Sequence, residues 1–121
     1  MNIMNKNNLI NKSDLKVKQD LSYLFSRYPY ILSASLFGST ALGISNSDSD
    51  MDIAIRIDKS LPSDSYLELK IQITEDLEKH LGCKVDIVVL NTASLKMIHQ
   101  VIVDGKLLFS REYITDGSFP E

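Results

Sequence analysis

The chain has 121 residues, one of them cysteine, with 44% apolar and 24% charged residues and a formal charge of -3. That length holds one hydrophobic core but not two domains, and the balance is that of a globular rather than a disordered chain. A net negative charge excludes the broad Lys/Arg footprint of a duplex binder, and a lone Cys83 excludes an internal disulfide and fits a reducing compartment.

Residues 1–12, "MNIMNKNNLINK", are of low complexity and are expected to be a flexible segment without the apolar core of a signal peptide. No apolar run reaches membrane-spanning length. A cytoplasmic protein is therefore expected, without membrane or direct nucleic-acid contact.

The domain is expected over 13–110. Val17, Leu21, Leu24, Phe25 and Tyr28 recur at helical spacing until Pro29 stops the pattern. "YILSASLF" predicts a strand with Leu32, Ala34 and Leu36 on one face and Ser33 and Ser35 on the other. It ends at Gly38-Ser39; "TALG" is long enough for one helical turn, and "ISNSDS" predicts a polar loop. In the next strand, "DMDIAIRI", Met51, Ile53, Ile55 and Ile57 share one face, while Asp50, Asp52, Ala54 and Arg56 share the other.

Pro62 stands where a helix would begin, and Leu69, Ile73, Leu77 and Leu81 form a stripe that ends at Gly82. "KVDIVVL" predicts an apolar strand interrupted by Asp86. Leu95, Ile98 and Ile102 predict the core stripe of a last short helix, and "KLLF" a final strand. Residues 111–121 are expected to form a tail. Alternating helices and strands imply an α/β fold, a small mixed β-sheet packed with helices.

The alternating acids Asp48, Asp50 and Asp52 invite three explanations. A calcium loop starting at Asp48 needs Gly at its sixth position and Glu at its twelfth, where this chain has Ile53 and Lys59. A solvated loop suits Asp48, since Ser, Asn and Asp bond their own backbone. Asp50 and Asp52 instead project together from a strand whose other face is core, and like charges so placed repel unless a cation joins them.

Asp86 on a neighbouring strand could reach the same centre, or pair at the edge with Lys84 or Arg56. Three carboxylates can hold two metals roughly 3.5 to 4 Å apart, an arrangement that clamps the attacking and leaving oxygens of phosphoryl or nucleotidyl transfer. Gly38-Ser39, after a strand and before a helical turn, offers backbone amides and a hydroxyl to a phosphate. His80 and His99 have no ligand partners at metal spacing, and Cys83 has no histidine placed to activate it.

Gly38-Ser39, ten intervening residues, then Asp50-Met51-Asp52 resembles the G-S-x10-D-x-D signature of the polymerase β-like nucleotidyltransferase superfamily. The chain's size is similar to that of its minimal nucleotidyltransferase (MNT) antitoxins. "KVDIVVLN" resembles the family's third-acid strand, and "SLKMIHQVIVDGKLLF" its closing helix and strand.

The resemblance implies a nucleotidyltransferase fold, with Asp50, Asp52 and Asp86 as catalytic metal ligands for two Mg2+ ions. It further implies Gly38 and Ser39 as the binding site for the triphosphate of ATP, and Asp86 helping to deprotonate the attacking hydroxyl. The implied reaction is transfer of AMP to a tyrosine hydroxyl of a HEPN-family toxin, within a toxin-antitoxin pair that can form a hetero-oligomer. Two other functions fit the same residues: an antitoxin that neutralises its toxin by occlusion without turnover, and a transferase acting on a small hydroxyl compound.

Overall fold

The computed structural model describes residues 12–38 and 51–111. Its elements in chain order are α1 (Lys12–Ser26), β1 (Ile31–Phe37), β2 (Met51–Ile57), α2 (Tyr66–Leu81), β3 (Val85–Val89), α3 (Leu95–Asp104) and β4 (Lys106–Ser110), with short 3-10 turns at Ser63–Ser65 and Leu90–Thr92. The four strands form one mixed sheet in the order β3-β2-β1-β4. β1 runs antiparallel to both β2 and β4, while β2 and β3 are parallel, joined through the crossover helix α2. Among the described residues no helix is long and apolar enough to cross a membrane. The expected helical turn at 40–43 lies outside the described residues.

The main core lies on one face of the sheet. Leu21, Leu24 and Phe25 of α1 and Ile73 and Leu77 of α2 pack there against Ile53, Ile55 and Ile57 of β2, Val85 and Ile87 of β3, and Phe109 of β4. Of the predicted stripes, Leu21, Leu24, Phe25 and Tyr28 and, on α2, Leu69, Ile73, Leu77 and Leu81 are the residues packed into this core, while the side chain of Val17 lies outside the described ones. Gly82 closes α2 in the left-handed conformation with its N–H on the Glu78 carbonyl at 2.8 Å, a conformation glycine adopts without steric cost. The Glu78 carboxylate accepts the Val85 N–H at 2.9 Å, which ties the end of the helix to the start of β3.

Two expected faces differ from the structure. In β1 the register slips between Ile31 and Ser33, so Ile31 rather than Leu32 joins Ala34 and Leu36 on the core side. The bulged residue Leu32 turns its carbonyl to Arg111, accepting that residue's N–H at 2.7 Å. In α3 the side facing the sheet is Met97 and Val101, which pack with Phe37, Ala54 and Val88 on the opposite face from the main core. Leu95 and Ile102 are 84% and 75% exposed.

Side chains complete the backbone pairing where strands stop. The Asn91 amide accepts the Ile57 N–H and donates to the Ile57 carbonyl, both at 2.8 Å, standing in for a further strand residue beside β2. Arg111 donates to the carbonyls of Ser26, Tyr28 and Ile31 and stacks its guanidinium 5.0 Å from the centre of the Phe109 ring. It brings positive charge to the C-terminal end of α1, whose last turn has no basic residue.

Candidate active site

The antiparallel register of β1 with β2 sets Phe37 opposite Asp52. The next residue, Gly38, turns the chain with φ of +76°. A Cβ built on Gly38 would lie 2.4 Å from the Asp52 Oδ2 and 3.3 Å from its Cγ. Glycine is therefore required twice, by the left-handed backbone and by the carboxylate seated against it. The backbone at the end of β1 and the acid of β2 form one contact surface, from residues well separated in the chain.

The parallel register of β2 with β3 then sets Asp52 opposite Asp86. Partners across a ladder project to the same face, here the face away from the main core. Ala54, two residues along that face of β2, is buried with Phe37 and Val101, so α3 floors the site on one side. Asp86 itself is exposed. Gly38, Asp52 and Asp86, three of the five residues expected to form the site, thus come together in a row across β1, β2 and β3. Ser39 and Asp50 lie outside the described residues.

Like charges directly opposite one another on adjacent strands destabilise a sheet. The donor set is hard carboxylate oxygen, which matches Mg2+ in chemistry. Among the described residues no group of three His, Cys, Asp or Glu could hold a metal ion; Asp50, expected as a further carboxylate, lies outside them. Asp48 lies outside the described residues, and His80, His99, Cys83 and Arg56 take no place in the row. His80 meets Asp20 at 3.5 Å and links α2 to α1; His99 is exposed on α3, and Cys83 is a half-buried free thiol. Arg56 shares the face of Asp52 but stands opposite Ser33.

A family described as "Polymerase beta, Nucleotidyltransferase" matches residues 19–114. The chain belongs to this nucleotidyltransferase family. It is similar to the protein adenylyltransferase MntA of Aphanizomenon flos-aquae (strain 2012/KM1/D3), with 34% identity over 92 residues that cover 71% of this chain; it spans 61% of that relative's length. A chain in the crystal structure of a toxin-antitoxin with AMP-PNP is 27% identical, with a TM-score of 0.63 over 79% of this chain and 74% of that one. A chain of the toxin-antitoxin MntA-HepT is 25% identical, with a TM-score of 0.58 over 83% and 74% respectively. The nucleotidyltransferase fold, with its α/β layers and mixed sheet, is common to them.

Sequence reasoning did not find the Gly38–Asp52 contact, although the glycine and the acid were both expected at the site. A clash that only glycine avoids depends on a register between strands, and no local pattern encodes that register. It also missed the flank of Asp86. There α2 brings Tyr66, Leu67 and Lys70 beside β3, residues whose spacing signals only the outer side of an amphipathic helix.

Proposed function

We propose that the chain is a Mg-dependent nucleotidyltransferase and the antitoxin of a HEPN/MNT pair, transferring AMP from ATP to a tyrosine hydroxyl of its partner toxin in the cytoplasm. The observation that carries this reading is the row of Gly38, Asp52 and Asp86, formed by two strand registers and one forbidden Cβ. The 34% identity to a protein adenylyltransferase supports the reaction class. The likeness to a toxin-antitoxin holding AMP-PNP supports the nucleotide and the partner.

In this reading Asp52 and Asp86, completed by Asp50, would hold the magnesium ions. Bound there, they would supply positive charge to offset the charge that develops on the leaving pyrophosphate. Gly38, with no side chain, lets the backbone approach the triphosphate closely, and Ser39 adds a hydroxyl donor. The tyrosine oxygen bonds to the α-phosphorus as the bond to the bridging oxygen breaks and pyrophosphate leaves in line. Asp86, exposed at the end of the row, helps take up the hydroxyl proton.

A second reading, occlusion without turnover, is favoured by the exposed apolar side of α3, where Leu95, Ile102 and Val103 lie open. Asp52→Ala separates the two in cells that express the toxin. Transfer predicts that neutralisation is lost while the folded variant still accumulates. Full neutralisation by that variant would establish occlusion.

A further inference from the structure

We infer that the groove on the β3 side of the acidic row seats the protein acceptor, with Leu67 and Lys70 as its recognition residues; this rests on the transfer reading above. An in-line displacement places the attacking and leaving oxygens on opposite sides of the transferred phosphorus. Gly38, Asp52 and Asp86 follow the strand order β1, β2, β3. With pyrophosphate leaving on the Gly38 side, the acceptor hydroxyl arrives over Asp86, from the β3 side.

A groove of about 390 Å³ opens along the free edge of β3, walled by Leu67 and Lys70 of α2 on the main-core side of the sheet and running along β3 from Asp86 to Val89. Asp86 stands on the edge strand β3, where the groove meets the row, with its side chain on the face of the row, so a chain lying along that edge passes beside the proposed base. Its volume is at the lower end of the range for ligand sites, enough for a few side chains of a larger partner. Leu67 is 65% exposed and offers an apolar contact at the rim. Lys70, half-buried in the wall, places a positive charge beside it. The occupant is therefore a partner segment in which the acceptor tyrosine lies close to an apolar residue and a carboxylate. The larger cavity, about 570 Å³ between α1 and β4 and lined by Tyr23 and Leu107, lies toward the β4 edge of the sheet, away from the acids.

The test uses the full chain and, as probe, the product of the open reading frame adjacent to its own. Partner affinity and ATP affinity are measured by calorimetry, and acceptor KM and kcat by AMP transfer, for wild type, Leu67→Glu/Lys70→Glu, and Leu95→Arg/Ile102→Arg on α3. The groove variant is expected to weaken partner binding and raise acceptor KM roughly tenfold or more, with ATP affinity unchanged and kcat recovered at saturating partner. Lys70→Arg alone retains binding, and Leu67→Glu alone serves if the double variant fails to fold. Partner affinity unchanged by the groove variant but weakened by the α3 variant would overturn the inference and move the docking site to α3. If wild type binds the probe but transfers no AMP, the transfer reading fails, and the affinities alone decide whether the groove is the seat. A wild type that neither binds nor modifies the probe overturns both.

Discussion

Gly38→Ala should destabilise the fold and disable the site for a reason that can be divided into two parts. The left-handed backbone, with φ of +76°, costs an alanine about 1–2 kcal/mol. The new Cβ, 2.4 Å from the Asp52 Oδ2, must also displace that carboxylate, and overpacking of this kind adds about 1–3 kcal/mol. Gly82→Ala isolates the first part, because Gly82 has φ of +73° and nothing within 4 Å of the position its Cβ would take. Urea unfolding of Gly38→Ala, Gly82→Ala, Asp52→Ala and the double variant Gly38→Ala/Asp52→Ala measures each part. Once the carboxylate is removed, the next neighbour of the built Cβ is the Asp52 Cβ at 3.4 Å, an ordinary contact. The cost of Gly38→Ala in the Asp52→Ala background should therefore fall to that of Gly82→Ala. Equal costs for Gly38→Ala and Gly82→Ala in the wild-type background, with no coupling to Asp52, would show that the carboxylate does not constrain position 38.

Three other outcomes follow from single contacts. Asp86→Asn removes a like charge opposite Asp52 and should leave stability unchanged or raise it by up to about 1 kcal/mol in urea, while AMP transfer falls at least a hundredfold. Asn91→Ala leaves the Ile57 N–H and carbonyl without their partner and should cost about 1–3 kcal/mol. Asn91→Asp, which can only accept, should fall between wild type and alanine. Tyr28, whose hydroxyl donates to Asp76, has its pKa raised from 10.0 to about 12 by partial burial and by that carboxylate. Because the fold favours the protonated phenol, its stabilisation is complete below pH 10 and is lost as pH rises from 10 to 12. Tyr28→Phe should cost about 1 kcal/mol or less at neutral pH, since solvent screens the contact, and should abolish that alkaline loss in melts followed against pH.

The stripes of α1 and α2 were legible because each helix carries a polar side, so helical spacing admits one buried face. Helix α3 carries a broad apolar side instead of a narrow stripe: Met97, Val101, Ile98, Ile102 and Leu95 follow one another around it, opposite Lys96, His99 and Gln100. Spacing alone selects Leu95, Ile98 and Ile102 as readily as Met97 and Val101. The choice is made by Phe37 and Ala54 on the sheet, which are distant in sequence. In β1 only the start of the predicted face differs, since the bulge at Leu32 puts Ile31 in its place on the side of Ala34 and Leu36. The acids of the site were legible because an alternating strand has two faces and only one of them could be core. Their alignment, with Asp52 opposite Asp86 and Gly38 against the Asp52 carboxylate, is a property of strand pairing that one sequence does not carry.

The most direct test of the account is intact mass spectrometry of the adjacent open reading frame's product after incubation with this protein, ATP and magnesium, beside an Asp50→Ala/Asp52→Ala control. Whole AMP increments on the partner, mapping to a tyrosine and absent from the control, are expected. An unmodified partner that still co-purifies with the wild-type chain would contradict that expectation, leaving the acidic row as a site that no longer turns over.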